Sequence, residues 1–183
     1  MTEDSAAPHT PKLGDPDYVF PKEVHNLLAL ANTTNITLSG MADTKASILM
    51  GASFVVFSMS IGDLAAGKAT FPLLVLTLFS FIATVFGVLT VRPNKLPDKP
   101  IPIEKANILF FGSYTNAPRD DYVDEVMKVL TSEEETYRRL ARDLYDHGLI
   151  LRDDKFRWLY WSFTAFLIGM LVTAAAVTIE LLR

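Results

Sequence analysis

Residues 71–91 read FPLLVLTLFSFIATVFGVLTV and contain no Asp, Glu, Lys, Arg or His. Two further runs without these residues, 46–61 and 158–179, lie on either side of it in the sequence. At ~1.5 Å per residue the two longer runs each span ~30 Å as helices, about the thickness of the hydrocarbon core of a bilayer. Backbone in lipid must satisfy its own hydrogen bonds, so such runs are helical. The sequence therefore predicts an all-α membrane protein with three transmembrane helices.

The rest of the chain divides around these three runs. We predict a disordered N-terminus at 1–20, because this segment is rich in Pro, Asp, Thr and Ala. The other predicted segments are an amphipathic helix at 21–45 that continues into the first span, the three spans at 46–61, 71–91 and 158–180, and a mostly helical insert at 92–157.

The insert has its own pattern of elements. Residues 93–105 contain four prolines and predict an extended linker. The apolar segment at 108–111, which we call the plug, is too short to span a membrane and predicts a buried strand or a segment lying on neighbouring helices. A short helix is predicted to follow it, up to Leu130. Ser132 and Glu135 form a capping box that starts another helix, which continues without proline into the third span and bends most readily at Gly148. The predicted buried stripe of this helix is Tyr137, Leu140, Ala141, Leu144, Gly148 and Leu151.

Basic residues predict the orientation of the chain. Of its 17 Lys and Arg residues, 12 lie between Arg92 and Arg157, whereas one, Lys68, lies in the short connection between the first two spans. The positive-inside rule therefore places the N-terminus and the insert in the cytoplasm and the C-terminus outside. We therefore expect the C-terminus on the periplasmic or extracellular side of the membrane.

Composition excludes several classes of function. The chain has no cysteine, so disulfides and thiolate metal sites are excluded. Its three histidines have no metal-ligand spacing, and we expect them at the surface. No phosphate loop, nucleophile elbow or HExxH motif is present, and the net charge of −4 does not indicate nucleic-acid binding. We therefore expect no catalytic residues, no metal, no resident cofactor and no nucleic-acid partner.

Small residues form a stripe on the first helix. Ser39, Asp43, Ser47 and Gly51 follow at steps of four, and small side chains at this spacing let helices approach closely in lipid. The stripe fits ordinary packing within one subunit, a contact between subunits, or the lining of a water path. Lys45 lies about 200° around the helix from Asp43, so each of the two needs its own partner. The other spans carry stripes of their own: Ser80, Thr84 and Gly87 on the second, and Ala165, Gly169 and Thr173 on the third.

Charged residues cluster on the insert helix, and two interpretations stay open. In the first interpretation, the charged residues form solvated helix faces with i,i+4 pairs such as Arg139–Asp143. In the second, they line a ligand pocket in which Arg142 binds a phosphate, while amide and hydroxyl side chains form hydrogen bonds with the polar edges of the ligand. The candidate ligand-sensing residues are Asn107, Gly112, Ser113, Asn116, Arg138 and Arg142.

Three segments together resemble the transmembrane effector family of bacterial Pycsar anti-phage systems. The first is Asn35 followed by the ADTKA element at 42–46, in front of an apolar span. The second is the Arg92-Pro93 boundary followed by NILFFG at 107–112, and the third is the helix at 140–156 leading into an aromatic-rich span. The resemblance covers nearly the whole chain after residue 23.

This resemblance implies an effector that responds to a cyclic pyrimidine nucleotide, cCMP or cUMP, made by a partner pyrimidine nucleotide cyclase during phage infection. The effector then impairs the inner membrane and stops growth. The chain carries neither an HD motif nor a recognisable cyclic-nucleotide-binding β-barrel, so the insert would have to form the nucleotide site.

Two functions from different classes follow. The first is this membrane-disrupting effector, which acts on the lipid bilayer as a homo-oligomer, because three helices per chain enclose no pore. The second is a non-enzymatic membrane anchor or scaffold that recruits a cytoplasmic signalling partner.

Overall fold

The structure is a computed structural model that describes residues 15, 18–93 and 102–182. The described parts of the chain are helical and contain no strand. The membrane helices and the elements of the insert are, in chain order, α1 Lys22–Ala65, α2 Phe71–Val91, a 3₁₀ turn Ile103–Lys105, α3 Phe111–Tyr114, α4 Arg119–Leu130, α5 Glu133–Ile150, a π-helical turn Leu151–Phe156 and α6 Arg157–Leu181.

Three stretches of helix are long and apolar enough to cross a membrane: Lys22–Ala65, Phe71–Val91 and Glu133–Leu181. The prediction of three such helices is confirmed. The first stretch is a single helix, and Gly40 does not interrupt it. The last stretch combines α5, the π-helical turn and α6, so one continuous helical element leads from the insert into the membrane.

Local sequence sets the ends of these helices. Gly67 adopts φ 82° in the connection between α1 and α2, a backbone conformation that other residues rarely adopt. Thr70 caps α2 by accepting a hydrogen bond from the backbone N–H of Leu73. Ser132 caps α5 in the same way by accepting from the N–H of Glu135, which confirms the predicted start of this helix.

The membrane helices pack through small residues rather than large ones. Ser53, Ser80 and Ser162 are the largest side chains that are fully buried, whereas many large apolar side chains of the spans face outward. Ser53 shares a hydrogen bond of 2.9 Å with Thr84, and Ser162 donates one of 2.7 Å to the carbonyl oxygen of Ala83. Helix α2 therefore contacts α1 on one side and α6 on the other through close backbone approach.

The insert differs from its prediction in three places. Of the two alternatives predicted for the plug at 108–111, the strand is wrong, since residues 108 and 109 lie in a turn and Phe111 begins α3. On the predicted buried stripe of α5, Ala141 is exposed and the buried residue is Asp143. The sequence predicts the bend at Gly148, but the helix departs from α geometry at Leu151–Phe156, after the glycine.

Two predicted segments fall largely outside the described residues. The N-terminal segment predicted to be disordered is described at residues 15 and 18–20, where Phe20 contacts the ring of Tyr137 on α5. The central part of the proline-rich linker, 94–101, also lies outside the description, and its end forms the 3₁₀ turn.

Candidate functional site

A largely buried arginine joins the elements of the insert. Arg139 of α5 forms ion pairs with Glu125 of α4 at 2.9 Å and with Glu135 at 2.8 Å. It also donates to the carbonyl oxygens of Glu104 and Ala106 at 3.1 and 3.4 Å. One guanidinium therefore joins α4, α5 and the chain segment before α3. The predicted pair between Arg139 and Asp143 is wrong.

Asn107 organises the loop that precedes α3. Its side-chain N–H donates to Asp143 of α5 at 2.8 Å, and its side-chain oxygen accepts from the backbone N–H of Leu109 at 3.0 Å. Its own backbone N–H donates to the hydroxyl of Ser113 at 3.1 Å. Ser113 is buried, so its hydroxyl supports the loop and is not open to a ligand.

A cleft of about 300 Å³ opens between this loop and α5. Among the described residues, Lys105 and Arg142 form no ion pair, although the carboxylates of Glu104 and Asp146 line the same cleft. The lining residues are Glu104, Lys105, Ala106, Asn107, Arg139, Arg142 and Asp146.

Of the six predicted sensing residues, Asn107 and Arg142 line the cleft. Arg138 lies outside the cleft and pairs with Glu134 at 2.5 Å on an exposed surface. Gly112 is buried in α3, and its carbonyl oxygen accepts from the side chain of Asn116 at 3.3 Å. The prediction missed Lys105 and Asp146, because nothing in the sequence spacing places the 3₁₀ turn against α5.

A polar seam joins α5 to the N-terminal half of α1. The side chain of Asp143 is 6 % exposed, and its second oxygen lies 3.6 Å from Nδ1 of His147. The side chain of Asn35 on α1 donates to the carbonyl oxygen of Leu144 at 3.4 Å. His147 is half-buried in this seam, so its predicted surface position is wrong, whereas His25 is exposed and His9 lies outside the described residues.

The predicted stripe on α1 divides into two parts. Ser39 and Asp43 are half-buried, and Asp43 accepts a charged hydrogen bond of 2.5 Å from Lys155 in the π-helical turn. Asp43 thus has its own partner on another helix. Lys45, Ser47 and Gly51 are exposed, and Lys45 has no ion-pair partner among the residues described.

A second ion pair lies on the same π-helical turn but faces solvent. Arg152 donates two hydrogen bonds to Asp153, at 2.7 and 2.8 Å. These hydrogen bonds lower the pKa of the Asp153 carboxyl and raise the pKa of the Arg152 guanidinium. Both side chains are exposed, so the pair offers a control for the Asp43–Lys155 contact.

Comparison with known protein families matches residues 26–181 to the Pycsar effector protein domain. Comparisons with curated proteins and with solved structures give no match. The matched range includes the α1–α5 seam, the cleft and all three membrane-spanning helices. The chain therefore belongs to the Pycsar effector family of anti-phage defence proteins.

Proposed function

We propose that this protein is a membrane effector that responds to cCMP or cUMP and then impairs the integrity of the bacterial inner membrane. The observation that carries the proposal is the family match, which covers the insert and the membrane helices together as one domain. A partner pyrimidine nucleotide cyclase supplies the signal, and the lipid bilayer is the target.

The cleft beside α5 is the site at which the nucleotide binds in this proposal. Lys105 and Arg142 supply the charge for the cyclic phosphodiester, because charge-assisted hydrogen bonds are the stronger ones. Glu104 and Asp146 supply carboxylate acceptors for N–H groups of the base. The mixed charge of the cleft thus matches a ligand with an anionic end and a donor-bearing end.

The membrane response begins in the same helix that lines the cleft. Arg142 and Asp146 lie on α5, which continues through the π-helical turn into α6. A shift of α5 on nucleotide binding would therefore move the start of the third span directly. The nucleotide must bind the active arrangement more tightly than the inactive one to cause this shift.

A homo-oligomer completes the proposal. The described residues of one chain form three closely packed spans, which are too few to enclose a pore. Ser47 and Gly51 lie outside the packing of the chain itself, and Gly51 has open space where a Cβ would lie. This part of α1 is the surface at which we expect a second copy to approach, with the insert in the cytoplasm.

Co-expression with a pyrimidine nucleotide cyclase tests the proposal in cells. We expect growth arrest and loss of membrane potential only when an active cyclase and the effector are both present. An Arg142→Ala effector should lose this response, whereas Arg138→Ala should keep it. Growth that continues with both active proteins at normal membrane levels would contradict the proposal.

The alternative, a membrane anchor that recruits a signalling partner, has one observation in its favour. Large apolar side chains of the insert are exposed, among them Phe111 at 58 %, Met127 at 60 % and Leu130 at 61 %. Exposed apolar patches often mark protein contacts. The anchor predicts no growth arrest with the cyclase and a stable complex that is lost in a Met127→Lys variant.

A further inference from the structure

The ion pair between Asp43 and Lys155 joins two parts of the chain that are 112 residues apart. Its N–O distance is 2.5 Å, and the Lys155 side chain is 22 % exposed, whereas the Asp43 side chain is 41 % exposed. The second oxygen of Asp43 is buried and has no hydrogen-bond partner among the described residues. The Lys155 ammonium is the less exposed of the two charged groups, and its loss of Asp43 would be costly because it would leave a largely buried charge unpaired.

The ion pair lies where α1, α2 and α6 come together at the insert side of the membrane. Ala42 and Ala46 of α1 pack against Leu159 of α6 in one buried cluster, and Val91 of α2 packs against it. Further along the spans, α2 lies between the other two helices, with hydrogen bonds to each of them. The ion pair thus fixes α1 against the start of α6 at the point where they meet.

Lys155 belongs to a turn with unusual geometry. The π-helical turn Leu151–Phe156 accommodates an extra residue relative to an α-helix, and such turns are rare and frequent at functional sites. Its conversion to α geometry would rotate α6 relative to α5 by ~100° and shift it by ~1.5 Å, the values for one residue. Lys155 would then leave the side of the helix that meets Asp43.

The same face of this helix extends back to the cleft. Asp143, His147, Leu151 and Lys155 follow at steps of four, and Asp143 accepts a hydrogen bond from Asn107 at the edge of the cleft. In the same region, the side chain of Asn35 on α1 donates a hydrogen bond to the carbonyl oxygen of Leu144. Displacement of α5 at the cleft would therefore strain the Asp43–Lys155 contact, because α5 continues directly into the turn that carries Lys155.

We propose that the Asp43–Lys155 ion pair is an autoinhibitory latch that holds the π-helical turn and the packed arrangement of the three spans. This inference rests on the proposed function, because the latch regulates the membrane response to the nucleotide. A contact regulates an equilibrium only when it differs between the two states, so the latch is broken in the active arrangement.

Dye leakage from liposomes that contain the purified protein tests the latch. Lys155→Gln removes the charge and keeps most of the side chain, and we expect it to raise leakage without nucleotide roughly tenfold, a typical size for a change in coupling. The exchanged pair Asp43→Lys/Lys155→Asp restores the opposite charges and should return leakage toward the wild-type value. Arg152→Gln, on the exposed side of the same turn, is the matched control and should leave leakage unchanged.

Unchanged leakage of the Lys155→Gln protein, in liposomes where the wild type responds to a cyclic nucleotide, would overturn the latch and leave the proposed function intact. A wild type that never responds to cCMP or cUMP would instead contradict the proposed function. Circular dichroism and flotation with the liposomes verify that each variant is folded and inserted.

A crosslink supplies a second test that keeps both charges of the ion pair. The chain has no cysteine, so Ala42→Cys/Leu159→Cys introduces one defined pair at the contact between α1 and α6. We expect the oxidised protein to lose nucleotide-dependent leakage and to regain it on addition of a reductant. Full leakage from the crosslinked protein would overturn the latch.

Discussion

Gly169 of α6 lies so close to Phe79 of α2 that a Cβ atom at residue 169 would overlap the Cβ of Phe79. Gly87 of α2 meets α1 in a similar way, since a Cβ there would lie 3.0 Å from the Cβ of Met50. These two glycines set the distance between the membrane helices. Because helices in lipid associate through close packing, the small residues at these positions determine the arrangement of the bundle.

A Gly169→Ala substitution should destabilise the bundle by about 1–3 kcal/mol, because the added methyl group must displace Phe79 or its backbone. Thermal unfolding in detergent measures the change. Gly51→Ala is the control, since a Cβ at residue 51 has open space and alanine favours a helix. Equal unfolding temperatures for the two variants would contradict the packing assigned to Gly169.

A Gly51→Leu substitution should weaken self-association without changing the unfolding of the single chain, because residue 51 lies outside the packing of the chain. Chemical crosslinking in liposomes gives the oligomer distribution. Gly40→Leu, at an open position about 16 Å nearer the insert end of α1 and outside the apolar run 46–61, should leave this distribution as in the wild type. An unaltered oligomer distribution for Gly51→Leu would exclude this surface as the contact between copies.

Removal of the Arg139 charge should unfold the insert selectively. Arg139→Met leaves the nearly buried carboxylate of Glu125 without its main partner, which typically costs about 3–5 kcal/mol. Arg138→Met removes an exposed pair worth about 0–1 kcal/mol and is the neighbouring control. Hydrogen exchange of α4 and α5 measures the difference. Comparable protection in both variants would show that the contacts of Arg139 do not stabilise the insert.

Loss of Arg142 should reduce nucleotide affinity while the fold stays intact, because Arg142 is exposed and has no ion-pair partner in the described part of the chain. A hydrogen bond to a charged group contributes about 1.5–3 kcal/mol, so Arg142→Ala should raise the Kd of cCMP or cUMP roughly ten- to 100-fold. Equilibrium dialysis with labelled nucleotide gives the Kd. The same affinity in Arg142→Ala and Arg138→Ala would place the nucleotide elsewhere.

The membrane part of the fold was predictable because its determinants are local. Long runs without charge predict spanning helices whatever the tertiary contacts, and the Ser132–Glu135 cap lies within one turn. The capped start of α5 is confirmed, and Asp43 has the separate partner that the spacing requires, at Lys155.

The candidate site was predictable only in part, because its residues converge from distant segments. Arg142 was recognisable as a free cation on a helix, but Lys105 reaches the cleft through a turn that follows a proline-rich linker. The charge of Asp143 predicts a surface position, yet its side chain is buried and accepts a hydrogen bond from Asn107. Burial of a polar group depends on such long-range partners, which periodicity does not reveal.

The most direct test of the account measures dye leakage from liposomes that contain the purified wild-type protein, with cCMP, cUMP, cAMP, cGMP or buffer added. The account predicts rapid leakage with one or both pyrimidine nucleotides and none with the purine nucleotides or buffer. The Arg142→Ala protein should leak only at much higher nucleotide concentration. Intact liposomes under every condition, with protein that is folded and correctly inserted, would contradict the central claim that this chain both senses the nucleotide and disrupts the membrane.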